Sequence, residues 1–143
     1  MDLCTIGYEG AAQPDVIDRL KAAGVDTLVD VRAVAASRRA GFSKTLLRES
    51  LAAEGIDYVH LRGLGTPKAG REAARKGRIG EMRALFSAHL RDPQAVVEFE
   101  ALRTLASSRR VALLCFEGDP RGCHRTVLSD RLAQAAGFTV IHL

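Results

Sequence analysis

Two runs, Thr27–Val31 and Val111–Phe116, are apolar at nearly every position rather than at every second one. A strand with one face in water alternates; an uninterrupted apolar strand needs cover on both faces, which is how parallel sheets are built. Between and around these runs the chain alternates strand and helix signals. Leu3–Ile6 is a short apolar run ending at Gly7. Pro14 suits a first helical turn, Val16, Ile17 and Leu20 give one apolar face, and Gly24 suits the position after the helix. Phe42 and Ser43 fit the residues before and at a helix start, with Leu47 placed to meet Phe42 as a hydrophobic staple and Gly55 as the stop. Tyr58–Leu61 reads as a third strand.

Residues 63–80 break the rhythm with five glycines and five basic residues, Lys68, Arg71, Arg75, Lys76 and Arg78, against the single acid Glu72. This stretch is a candidate lid over an anion. Helices are expected next around Ile79–Leu90 and from Asp92–Pro93 through Leu102, then the strand Val111–Phe116. A helix from about Cys123 to Ala136, closed by Gly137, leads to a last strand, Thr139–Leu143. No internal repeat or linker divides the chain, so residues 1–143 are expected to form one α/β domain. It is Rossmann-like, with a mostly parallel sheet of about five strands, strand one near the centre and helices on both faces.

Composition narrows the class. With 47% hydrophobic and 27% charged residues the chain can bury a core, which excludes disordered and fibrous classes. No apolar run reaches the roughly 18 residues of a membrane span. The first residues, MDLCTIGYEG, lack the basic and apolar regions of a signal peptide. The three cysteines have no framework spacing, so reduced thiols and a cytoplasmic location are expected. A net charge of +4 favours an anionic partner, either a small molecule or nucleic acid, and no membrane. Aromatic residues are only 5% of the chain and none is Trp, which weakens a base-stacking surface.

In parallel sheets ligands bind beyond the C-terminal strand ends. Here those ends carry Tyr8 and Glu9; Asp30 and Arg32; His60 and Arg62; and Cys115, Glu117 and Asp119. The loop after strand two adds Ser37 and Arg38. The densest chemistry is CFEGDPRGCHR at 115–125, where Cys123, His124 and Arg125 are expected in the first turn of a helix. A helix start holds anions and lowers a thiol's pKa. Cys115 and Arg121 have the spacing of a phosphatase loop, and the same layout serves rhodanese-like sulfur transfer through Cys115. Glu117 and Asp119 argue against an anion-cradling loop, and the end of an apolar strand suits a buried, inert Cys115. Glu117 and His124 fit general acid/base catalysis, with Arg125 as anion clamp. Binding without chemistry, through Arg32, Arg38, Arg62 and Arg125, fits as well, and so does a purely structural role in which His124 and Arg125 pair with Asp30 or Glu117. Zinc binding by Cys115, Cys123 and His124 is disfavoured, because no paired ligand spacing is present and adjacent side chains on a helix diverge. No metal and no cofactor are expected.

TIGYEG, DVR at 30–32, SRRAGFSK at 37–44, YVHLRGLG at 58–65 and LLCFEGDPRGCHR at 113–125 together closely resemble the DUF488 family of small α/β proteins of undetermined function. The resemblance covers essentially the whole chain. Its most specific block is matched by Cys115, Glu117, Pro120, Cys123, His124 and Arg125. It further implies Thr5, Gly7, Tyr8, Asp30, Arg32, Ser37, Phe42, Tyr58, His60, Leu64 and Gly65 as signature positions. Ala35 stands where the family has a proline, and Thr66 where it has a second glycine. Arg121 is outside the pattern, which weakens the phosphatase-loop chemistry. The resemblance supports the fold and selects the site but supplies no reaction.

Overall fold

The computed structural model describes residues 1–143. Five strands, β1 (Asp2–Gly7), β2 (Thr27–Asp30), β3 (Asp57–His60), β4 (Val111–Cys115) and β5 (Thr139–His142), form one sheet in the order β3-β2-β4-β1-β5. All neighbouring pairs are parallel. The centre is β4, with β1 beside it. The chain passes from β1 to β2 to β3 in one direction, then returns to insert β4 between β1 and β2 before placing β5 on the far edge. The reversal at β4 opens the crevice that such sheets use for ligands.

Side-chain parity along the strands separates two cores. Cys4, Ile6, Leu28, Ala112 and Leu114 face helices α1 (Gln13–Ala22) and α2 (Lys44–Ala53), meeting Val16, Leu20, Leu47 and Leu51. Leu3, Val29, Val111 and Leu113 point to the opposite side, against Ala73, Met82, Phe86, Leu102 and Leu128. Those come from α3 (Lys68–Arg75), α4 (Ile79–His89), α5 (Pro93–Ser108) and α6 (His124–Ala136). The apolar runs therefore have cover on both faces, as their composition requires. Phe42 and Leu47 share one core, but Ser43 caps no helix amide; its hydroxyl instead accepts from the Ser37 amide and donates to the Ser37 carbonyl. Gly137 ends α6 with a left-handed φ of 73°, a conformation that glycine adopts without strain.

The glycine-rich stretch is mostly helix. Alanines and long charged residues favour α3, and buried Gly70 and Ala73 make it a wall of the fold, with Gly70 packed near Thr66 and Leu85. No helix is long and apolar enough to cross a membrane.

Gly7 ends β1 directly against the loop after β4. A Cβ there would collide with the Glu117 carbonyl. Gly7→Ala should therefore displace that loop and cost about 1–3 kcal/mol, the range for overpacking a filled site, read by urea unfolding.

Candidate functional site

Parity also sorts the polar residues at the strand ends. Asp30 follows Leu28 and faces the α1/α2 side, where it is completely buried. It accepts hydrogen bonds from the Arg32 amide (3.0 Å), from Arg32 Nε (2.9 Å) and Nη2 (2.7 Å), and from the Tyr58 hydroxyl (2.5 Å). Arg32 Nη1 donates to Tyr8 Oη at 3.0 Å and to the Phe42 carbonyl at 2.8 Å. Burial opposes the guanidinium charge, but the Asp30 hydrogen bonds and charge outweigh it and hold Arg32 above its ordinary pKa. Burial, then the Asp30 carboxylate, pushes the Tyr58 hydroxyl up as well. Tyr8 stacks on Phe42, with centroids 4.3 Å apart, and meets Phe116 edge-on at 5.4 Å.

The other side of the sheet carries sulfur and imidazole. Cys115 ends β4, pointing to the same side as Leu113, with Sγ 3.1 Å from Glu117 Oε2 and 3.5 Å from His124 Nδ1. His124 Nε2 lies 2.7 Å from the Val31 carbonyl. A carbonyl only accepts, so Nε2 carries the proton and the Nδ1 lone pair of the neutral ring is left facing sulfur. Phe86 packs edge-on against the ring at 4.9 Å. Burial opposes the His124 charge, yet Cys123, the Val31 carbonyl and Glu117 hold its pKa above the ordinary value. Burial pushes the Cys123 thiol well up.

Both sides open into one cavity of about 440 Å³. That volume lies within the roughly 300–1,000 Å³ of small-ligand sites. Tyr8, Arg32, Ser37, Arg38, Cys115, Glu117 and His124 line it, together with Arg71 and Arg75 from α3. Val34 and Phe116, 58% and 42% exposed, add apolar surface to its wall. Because Asp30 neutralises Arg32, the free cations of the lining are Arg38, Arg71 and Arg75, opposed by Glu117.

The other expected site residues serve from behind or lie apart. Asp30 supports Arg32 without lining the cavity, and His60 Nε2 donates to the Arg32 carbonyl at 2.8 Å. Arg62 is exposed and starts a short 3-10 turn outside the cavity. Arg125, 1% exposed, is not an anion clamp in this arrangement, since Nη1 and Nη2 bind the Glu117 and Gly118 carbonyls and so fix the loop. Arg32 is likewise held by protein groups on most of its N–H donors. The phosphatase-loop geometry is absent: Arg121 is solvent-exposed and pairs with Asp119, and the Gly118 amide donates to Glu9 Oε1.

The expectation that Cys123 and His124 diverge is also corrected. Cys123 is the N-cap of α6, with extended backbone (φ −126°, ψ 141°), so the two side chains do not follow helical spacing. Their sulfur and Nδ1 are 3.8 Å apart. Arg71 and Arg75 are further lining residues, which the pattern of single strand ends does not point to; the signal for them is the basic, glycine-rich 63–80 segment.

The class defined by this geometry is a parallel α/β protein with a thiol–imidazole cluster at the topological switch. The sequence profile of the family described as a domain of unknown function, DUF488, matches residues 13–132, and the chain belongs to that family. The match contains the whole 115–125 segment, whereas β1 and Tyr8 lie outside it. No curated protein and no solved structure matches the chain.

Removing one partner of a buried ion pair strands the other charge. Asp30→Ala should cost about 3–5 kcal/mol in urea unfolding at neutral pH, and the double change Asp30→Leu with Arg32→Met should cost less than Asp30→Ala alone.

Proposed function

We propose that the cavity is the active site of an enzyme that acts on a small anionic substrate, phosphorylated or nucleotide-like, with Cys115 as nucleophile. The observation that carries this is the Cys115 sulfur in the cavity lining, within reach of two proton acceptors, His124 Nδ1 and Glu117 Oε2. An activated nucleophile needs an oriented base, and the Val31 carbonyl orients this one. The thiol proton passes to His124 or Glu117, and the thiolate attacks the electrophilic atom of the substrate. As the new bond to sulfur forms, the bond to the leaving group breaks and the leaving group takes a proton from the same acid. Water, deprotonated by that group, then releases the product from sulfur. Arg38, Arg71 and Arg75 supply charge for the anion, and exposed Phe116 an aromatic surface for a base. In a sulfane-sulfur transfer with the same groups, the Cys115 thiolate bonds to the donor's outer sulfur as that sulfur's bond to the rest of the donor breaks, and the remainder leaves as its anion.

A second function, nucleic-acid binding without catalysis, is favoured by the exposed Lys68, Lys76 and Arg78, which extend the basic surface along the 63–80 segment beyond the cavity. It predicts affinity that falls steeply between about 50 and 200 mM salt.

Thermal shifts with phosphate, sulfate, nucleotides, nucleosides and short DNA and RNA separate the two. A nucleotide or phosphate should stabilise the wild type, by about 2.7 kcal/mol at 100 times Kd, but not the Arg38→Ala/Arg75→Ala variant. The same ligand should slow iodoacetamide alkylation of Cys115, which should react faster than buried Cys4 and more slowly in His124→Asn. Stabilisation by polymers alone, lost with salt, would establish the second function. Absence of any shift, with Cys115 no more reactive than Cys4, would overturn the enzyme.

A further inference from the structure

The three donor atoms Cys115 Sγ, Cys123 Sγ and His124 Nδ1 all lie within 4.8 Å of one another. The two sulfur-to-nitrogen separations are 3.5 and 3.8 Å. A tetrahedral ion with Zn–S bonds of about 2.3 Å and a Zn–N bond of about 2.0–2.1 Å sets its sulfur and nitrogen ligands about 3.6 Å apart. Both sulfur-to-nitrogen edges of the triangle therefore match those of a zinc tetrahedron, and the sulfur-to-sulfur edge lies within 4.8 Å.

Its surroundings match as well. Metal-bound histidines characteristically donate their second ring N–H to a carbonyl or carboxylate, and His124 Nε2 is so held by Val31. The Arg125 amide points at Cys123 Sγ (3.5 Å), and both cysteines sit at the positive end of α6. An N–H so placed is an outer-shell donor to a metal-bound sulfur. Cys115 and His124 line the cavity, so the fourth position is open to solvent or substrate while the three protein ligands are buried. Glu117 is the carboxylate nearest to the cluster.

We propose that Cys115, Cys123 and His124 bind one zinc-class ion with an open fourth position toward the cavity. Two thiolates and an imidazole select a thiophilic ion over magnesium or calcium. Binding forms two metal–sulfur bonds and one metal–nitrogen bond and releases two thiol protons to solvent. The dipositive ion is thereby neutralised, and affinity rises with pH. This goes beyond the thiol enzyme and does not require it: in the metal-bound state Cys115 is a ligand and cannot attack, so metal occupancy and thiol chemistry exclude one another.

The test uses the full chain, reduced with a phosphine and freed of metal with a chelator, then titrated with Co²⁺ and Zn²⁺. One equivalent of cobalt should bind with release of two protons and give tetrahedral d–d bands with thiolate-to-cobalt charge transfer, and zinc should displace it with no further proton release. Cys123→Ser should weaken zinc binding by more than about 100-fold, beyond the loss typical of an outer-shell change, while Cys4→Ser leaves it unaltered. A wild-type cobalt spectrum without charge transfer would overturn the proposal whether or not the variants fold. So would zinc affinity unchanged in a folded Cys123→Ser. Metal-free protein tests the thiol enzyme separately. Rapid Cys115 alkylation without metal binding defeats only the metal site; metal binding with an inert metal-free Cys115 defeats only the nucleophile.

Discussion

The polar end of this sheet depends on the ion pair between Asp30 and Arg32. Neither charge reaches water to any extent, so each must be satisfied by protein, and satisfying them ties four parts of the chain together. Asp30 ends β2 and receives Tyr58 from β3; Arg32 receives Tyr8 after β1 and the Phe42 carbonyl ahead of α2. Taken singly, such bonds contribute modestly, but a buried network with one member removed leaves several groups without partners. The loop after β2 is therefore anchored at its base, and Ser37 and Arg38 extend from that anchor into the cavity lining.

Parallel strands give the site its division of labour. Along β2, Asp30 and Val31 point to opposite sides; along β4, Leu114 and Cys115 do the same. The consequence is a charged, aromatic cluster over the α1/α2 core and a sulfur–imidazole cluster over the other core, separated by the thickness of the sheet edge. They meet only where the strands stop. A ligand in the cavity contacts both without either cluster having to be exposed on its own.

Much of this is legible in the sequence. Uninterrupted apolar strands forced a covered parallel sheet, and the residues following them supplied Tyr8, Arg32, Cys115, Glu117 and His124. What the sequence concealed is direction. An arginine at a strand end looks the same whether its guanidinium faces a ligand or a buried carboxylate, and Arg32 and Arg125 both turn to protein acceptors. Arg71 and Arg75 enter because α3 packs as a wall of the cavity against strand ends far from it in sequence, a long-range relation that no local pattern encodes. The convergence of Cys123 and His124 hinges on α6 starting at His124, one residue later than the expected start at about Cys123. That small shift changes Cys123 from a helical position to an extended one and turns its sulfur toward Cys115. Boundaries of helices are where sequence patterns are least sharp, because the terminal residue has mixed geometry.

Val31 joins the two halves of the molecule through its two flanking peptide groups. Its N–H continues the ladder to the Leu114 carbonyl at 3.1 Å, and its own carbonyl holds His124. An imidazole carried by a mobile loop would reorient with each ligand that entered. Here the ring is clamped to the residue that follows β2, itself hydrogen-bonded to the central strand, and its free nitrogen has one fixed bearing. Proton traffic at this histidine is therefore one-sided: sulfur, or whatever sulfur holds, is its sole correspondent.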